Sequence, residues 1–167
     1  SIELDDSLTE AFVSLGLVKI FSQWDLEGAK KAFDRALELN PGDAGVFNAY
    51  LWYLAAVDKF EEAIETAKNA LKLDPLSLAI NNSLGDAYLN AGRYEEAIVQ
   101  LDNTLELNPN FRCGLESKGW ALFFLGDTKK SIKTFKKYQK KTKDPLKGIS
   151  GLGYVYAKTG QHDKAYE

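Results

Sequence analysis

Few side chains in this chain could bind a metal or act in catalysis, and the sequence does not group them into a site. His162 is the only histidine and Cys113 the only cysteine. A zinc site needs three or four such ligands, and a cysteine nucleophile needs a base positioned beside it. We interpret His162 as a surface residue and Cys113 as a small, half-buried one. The sequence therefore predicts no metal site, no cofactor and no catalytic centre.

Acidic pairs and a glycine-rich segment also have structural explanations. Adjacent glutamates at 61–62 and 95–96 stand where helices are expected to begin, and the helix dipole favours acids there. The segment "KGISGLGYVYAKTG" (147–160) matches neither GxGxxG nor the Walker spacing, and no strand precedes it. We interpret Gly153 as a helix-packing glycine. We expect no nucleotide binding, no small-molecule substrate and no enzymatic activity.

Composition describes a folded protein of ordinary type. The chain has 167 residues, of which 45% are hydrophobic and 27% charged. No apolar run approaches the roughly 20 residues that a transmembrane helix needs, and the acidic start has no signal-peptide pattern. A single cysteine fits a reducing compartment. We therefore predict a cytoplasmic location and no transmembrane segment.

One hexapeptide returns along the chain at a fixed interval. "LELNPG" (37–42), "LKLDPL" (71–76) and "LELNPN" (105–110) start 34 residues apart. Proline ends a helix because it lacks a backbone donor and clashes with the preceding turn. A constant period of this length is typical of stacked structural repeats.

Each unit contains two apolar stripes at helical spacing, a turn between them and a closing proline. The predicted boundaries are 7–43, 44–77, 78–111, 112–145 and an incomplete 146–167. A small residue recurs where the two helices of a unit should pack closest. These residues are Ala29, Ala63, Ala97, Ser131 and Ala165.

The segment Ser83–Pro109, with the same frame in the flanking units, resembles the tetratricopeptide repeat (TPR) family. The resemblance covers nearly the whole chain. It implies an all-α, right-handed superhelical solenoid of antiparallel helix pairs, with about four and a half repeats in a single array over 1–167. The last repeat lacks most of its second helix, so we expect a piece of a longer protein. An uncapped end would expose apolar surface, and self-association is a further hypothesis.

Three local departures from the repeat carry their own predictions. "SLTE" (7–10) has the form of a capping box, which predicts that the first helix begins there. The first turn holds one residue too many, with Trp24 and Leu26 at its bend. In the fourth unit the proline arrives two residues late, at Pro145, which predicts a longer second helix.

The resemblance implies a non-catalytic protein–protein interaction scaffold that binds a peptide or protein segment in a concave groove formed by the first helices. Asparagine can pair with an extended backbone, and aromatic rings supply contact area. The alternative for each aromatic residue is packing against the neighbouring repeat. The residues that the resemblance places in the groove are Asn48, Trp52, Asn82, Asp86, Leu89, Asn90, Glu116, Trp120, Phe123, Phe124 and Tyr154.

A lysine-rich segment follows in the fourth unit. Residues 111–167 carry a net charge of +8, whereas residues 1–110 carry −11. The segment is either a solvated helix face or a docking site for an acidic partner, nucleic acid or an anionic membrane. Few arginines and no outward aromatics argue against base readout. The basic patch consists of Lys129, Lys130, Lys133, Lys136, Lys137, Lys140 and Lys141.

A second functional hypothesis rests on "FSQWDLEGAKKAFDRALELNP" (21–41). This stretch loosely resembles the repeat arrays attached to bacterial nucleotide cyclases and winged-helix transcription regulators. It implies a regulatory or sensory arm of a larger signalling protein that contacts its own catalytic or DNA-binding domain.

Overall fold

A computed structural model describes residues 2–41, 43–141 and 149–165, and every regular element in this part of the chain is helical. The elements are α1 (Ile2–Val18), a π-helical turn (Lys19–Gln23), α2 (Leu26–Leu39), α3 (Ala44–Ala56), α4 (Phe60–Leu73), α5 (Leu78–Asn90), α6 (Tyr94–Leu107), α7 (Arg112–Phe124), α8 (Thr128–Lys141), α9 (Ile149–Lys158) and α10 (His162–Ala165).

The helices keep the 34-residue phase of the sequence. The first helices α3, α5 and α7 have 13 residues each, and the second helices α4, α6 and α8 have 14 each. Each of α2, α4 and α6 ends two residues before a proline, at Pro41, Pro75 and Pro109. This regularity confirms the predicted all-α repeat fold.

The chain forms two compact units, one ending at Ala87 and the other beginning at Tyr88, inside α5. The core of the first unit is centred on Phe33, Leu54 and Ile64, whose side chains are fully buried. The ring of Phe33 lies 6.3 Å from the ring of Tyr50 and 5.8 Å from that of Tyr53. Aromatic packing therefore joins α2 to α3.

Phe135 on α8 is the centre of the second unit's core. Its side chain is 1% exposed and packs with Leu115, Tyr138 and Val155. A Cβ atom built on Gly119 of α7 or Gly151 of α9 would lie 2.7 Å or 2.5 Å from this ring. The two glycines therefore let α7 and α9 approach the same phenyl ring.

The packing role predicted for Gly153 is wrong. A Cβ atom there would meet only the carbonyl oxygen of Ala165, at an ordinary 3.6 Å. The close approach falls two residues earlier, at Gly151, because that residue faces Phe135.

The small residue that recurs at the helix contact is buried, as predicted, in the first four repeats. Ala29, Ala97 and Ser131 have no exposed surface, and Ala63 is 2% exposed. Ser131 also donates its hydroxyl to the Gly119 carbonyl at 2.7 Å, which satisfies a buried polar group. Ala165 is only half-buried.

Every turn between paired helices contains a residue with left-handed backbone. In four of these turns, the next residue's N–H bonds to the carbonyl five residues earlier, as Arg93 does to Tyr88 at 2.9 Å. This is the hydrogen bond of a Schellman helix end. The left-handed residues recur every 34 positions and are Trp24 (φ 53°), Asp58 (φ 57°), Gly92 (φ 74°), Gly126 (φ 94°) and Gly160 (φ 74°).

The extra residue predicted in the first turn is confirmed. There the corresponding bond runs from Asp25 N–H to the Lys19 carbonyl, six residues earlier, at 3.0 Å. The π-helical turn Lys19–Gln23 absorbs the insertion, because its wider turn accommodates one more residue. Trp24, the left-handed residue of this turn, therefore keeps the 34-residue spacing to Asp58.

Two other local predictions have different outcomes. The predicted helix start at Ser7 is wrong, since α1 already begins at Ile2 and no glycine or proline interrupts residues 2–7. The late Pro145 lies outside the described residues, so the longer second helix stays a prediction. No helix in the described part of the chain combines the length and apolar character that crossing a membrane requires.

Candidate peptide-binding surface

Groove positions of the first unit lie on α3 and α5. Ser83 donates its hydroxyl to the side-chain oxygen of the half-buried Asn48, so one hydrogen bond ties α5 to α3. Trp52 is 66% exposed and leaves most of its indole available for contact. Asn48 thus already has an internal partner, whereas Trp52 is largely free of the protein core.

Asn82 differs from a simple surface amide. Its side chain is 7% exposed, and its amide nitrogen donates to the Asp86 carboxylate at 2.7 Å. Its buried oxygen accepts no hydrogen bond from the described residues. Leaving such an acceptor unpaired costs about 1–3 kcal/mol. The Asn82–Asp86 pair therefore presents mainly the half-buried Asp86 to an incoming ligand.

Aromatic residues predicted for the groove come together in the second unit. The Trp120 ring lies 5.4 Å from the Tyr154 ring and 6.1 Å from the Phe124 ring. Phe123 lies 5.5 Å from Phe124 and 5.6 Å from Tyr154. We call these four residues the aromatic surface. Phe124 is 50% and Tyr154 43% exposed, while Trp120 and Phe123 are half-buried.

The aromatic surface is anchored from beneath. Trp120 meets the buried Phe135 ring edge to face, with centroids 5.2 Å apart. This contact fixes the orientation of the indole, so contact area is offered at little cost in side-chain entropy. The sequence left two alternatives for these aromatic residues, ligand contact or internal packing. Both apply, since part of the group packs internally and part faces solvent.

Two neighbours complete this surface. Tyr94, at the start of α6, stacks on Phe124 with centroids 5.7 Å apart. The Lys158 ammonium lies 5.6 Å from the centre of the Tyr154 ring. Sequence reasoning did not include Tyr94, because it begins a second helix and the groove prediction covered first helices only.

The remaining predicted groove residues have mixed surroundings. Leu89 packs against the buried cluster of Ala97, Leu101 and Ala121, whereas Asn90 is exposed. Glu116 is half-buried and accepts a hydrogen bond from Tyr138 on α8. Burial, with the Glu116 charge beside it, raises the pKa of Tyr138 to about 12.

All seven lysines of the basic patch are exposed along α8. Lys130 pairs with Asp127 at 2.7 Å, and this contact raises the pKa of the lysine and lowers that of the carboxylate. The patch and the aromatic surface share no residue.

Residues singled out for chemistry stay apart. His162 is exposed, and Cys113 is also exposed, so its predicted half-buried position is wrong. The glutamates at 61–62 and 95–96 occupy the first turns of α4 and α6, as predicted. Across the described residues, no group of three or more potential metal ligands occurs.

The fold is shared with solved structures. A thermophilic TPR protein of Thermus thermophilus matches with a TM-score of 0.80 at 22% identity, covering 94% of this chain and 86% of that one. PilF of Pseudomonas aeruginosa matches with a TM-score of 0.75 at 21% identity, covering 97% and 73%. PilW, a type IV pilus biogenesis factor, matches with a TM-score of 0.76 at 20% identity, covering 95% and 73%.

Comparison by sequence is more limited. A search of curated proteins finds no significant match. Residues 51–111 match the family model described as tetratricopeptide repeat. This match, the 34-residue helix pairs and the fold shared with TPR structures lead to one conclusion. Residues 51–111 carry tetratricopeptide repeats, and the chain as a whole shares the fold of solved TPR proteins.

Proposed function

We propose that this protein is a non-catalytic scaffold that binds a peptide or protein segment on the first-helix face of its second unit, formed by α7 and α9. The main support for this proposal is the aromatic surface. Its exposed rings, Phe124 and Tyr154, contact the Trp120 indole, which packs on the buried Phe135. Such rigid aromatic groups are enriched among residues that dominate binding energy.

The chemistry of the surface indicates the kind of segment it would take. Phe124 and Tyr154 offer apolar area, and the tyrosine hydroxyl adds a polar edge. Lys158 beside Tyr154 adds one positive charge. An extended segment with apolar side chains and an acid nearby would fit these features.

A random peptide library displayed on phage provides the test. Peptides enriched on the wild-type protein would be synthesised and their affinities measured by fluorescence polarisation. Phe124→Ala should weaken binding about tenfold or more, which corresponds to about 1.4 kcal/mol. Phe21→Ala is the matched control, because Phe21 is 67% exposed and lies outside the aromatic surface.

Two results would count against the proposal. One is that no peptide family is enriched, which would favour the regulatory-arm hypothesis. The other is that the Phe124 and Phe21 variants bind the enriched peptides equally well.

A further inference from the structure

The structure points to a second docking surface on α6, α7 and α8. We propose that it binds an acidic amphipathic segment of a partner protein. This inference is independent of the aromatic surface, because no residue of that surface lines the second one.

The surface is an open depression of about 800 Å³ within the second unit. Its floor is aliphatic and is supplied by Leu105 of α6, Leu115 and Leu122 of α7, and Ile132 of α8. Leu115 and Leu122 are buried, whereas Leu105 and Ile132 keep part of their surface. An apolar side chain of a partner would therefore find an aliphatic contact there.

Lysines border this floor on one side. Six exposed lysines of α8 line the depression, and one of them, Lys130, pairs with Asp127. Most of the other five follow one another at intervals of three or four residues, which puts them along one side of the helix. These five, the border lysines, are Lys129, Lys133, Lys136, Lys137 and Lys140.

Two other second helices, α2 and α4, neutralise outer lysines through internal ion pairs. On α2, Lys30 pairs with Asp34 at 2.8 Å and Lys31 with Glu27 at 2.7 Å. On α4, Lys68 pairs with Glu65 at 3.0 Å. The outer faces of those helices therefore need no partner to balance these charges.

Helix α8 lacks this compensation. It contains seven lysines and no acidic residue. Within the described part of the chain, the border lysines form no ion pair, whereas Lys118 across the floor pairs with Asp102. Like charges one turn apart destabilise a helix. A partner's carboxylates would relieve this repulsion and supply charge complementarity.

The aliphatic floor favours a peptide over nucleic acid. Leucine or isoleucine side chains can fill it, whereas a phosphate backbone has nothing apolar to place there. The lining holds lysine but no arginine and no aromatic ring among the described residues, so it has no stacking platform for bases. An amphipathic helix with acids beside an apolar stripe could place the stripe on the aliphatic floor and pair its acids with the border lysines.

The probe is a fluorescein-labelled peptide of about 16 residues, with leucines at helical spacing and glutamates elsewhere. A scrambled peptide of the same composition controls for charge alone. We expect the amphipathic peptide to bind at least about tenfold more tightly than the scrambled one, with affinity falling as salt rises.

Variants then locate the binding surface. Lys136→Gln with Lys140→Gln should weaken binding about tenfold or more. Lys68→Gln with Lys72→Gln is the matched control, because these lysines occupy the same repeat positions on α4, 68 residues earlier. The control should bind within about twofold of wild type, and circular dichroism would verify that both variants fold.

Several outcomes would overturn the inference. Equal binding of the scrambled peptide would show that the aliphatic floor is not used. Tighter binding of a single-stranded oligonucleotide than of the peptide would assign the surface to nucleic acid. Absence of saturable peptide binding below about 1 mM would remove the proposed partner class.

Discussion

At the scale of single residues, Phe135 of α8 joins α7, α8 and α9 in the core of the second unit. Its ring contacts two glycines on different helices and also supports Trp120 from below. Because the ring is buried and packed, it cannot swing aside as the tip of an exposed side chain would. A methyl group added at either glycine must therefore displace a helix.

Two alanine substitutions in α9 test this account. Gly151→Ala should lower the free energy of unfolding by about 1–2 kcal/mol, since overpacking outweighs the gain in helix propensity. Gly153→Ala should raise it by up to about 1 kcal/mol, because its new methyl group meets only ordinary contact. Urea denaturation followed by circular dichroism gives both values. Equal shifts in the same direction would contradict the packing described for Phe135.

At the scale of helices and turns, the repeat is held in phase by the left-handed residue between paired helices. Three of the five repeats have glycine at this position, and the other two have Asp58 and Trp24. Left-handed backbone costs a residue with a Cβ atom about 1–2 kcal/mol, and glycine avoids that cost. The N–H of the following residue donates a hydrogen bond to a carbonyl of the first helix. This hydrogen bond requires left-handed backbone at the turn position, whichever residue stands there.

Exchanging the residue types at these turns should change stability in opposite directions. Asp58→Gly should raise the free energy of unfolding by about 0.5–1 kcal/mol. Gly126→Ala should lower it by about 1 kcal/mol through the backbone alone, since a Cβ atom there has no neighbour within 4 Å. Thermal melts would measure both. A loss of stability in the Asp58 variant would mean that its carboxylate contributes more than the backbone conformation costs.

At the scale of the whole molecule, the stability of a repeat protein is close to a sum of local terms. In such proteins each helix pair contacts mainly its neighbours in sequence, so damage in one pair should spread only a short distance. The two compact units of this chain provide a way to examine that property.

Hydrogen exchange of the Gly151→Ala protein would reveal how far the damage spreads. Amides of α7, α8 and α9 should exchange about tenfold faster, because the substitution lowers the local opening free energy. Amides of α3 and α4 should exchange at the wild-type rate. Uniform acceleration across all helices would instead indicate one cooperative unit.

Much of the fold could be predicted from the sequence because its determinants are local. The prolines at 41, 75 and 109, the buried alanines and the apolar stripes act within one helix pair. Their 34-residue spacing fixes the class of fold without knowledge of distant contacts. The extra residue in the first turn could be detected for the same reason, since it appears as a shift of phase.

Only the tertiary structure decided which residues share a surface. Tyr94 of α6 contacts Phe124 of α7, and Trp120 of α7 contacts Tyr154 of α9, so these contacts depend on how the three helices pack. The close approach at Gly151 instead of Gly153, and the aliphatic floor beside the α8 lysines, depend on the same packing. Periodicity determined the helix pairs, because it is a property of neighbours along the chain. The candidate sites needed the structure, because they are formed by residues of separate helices.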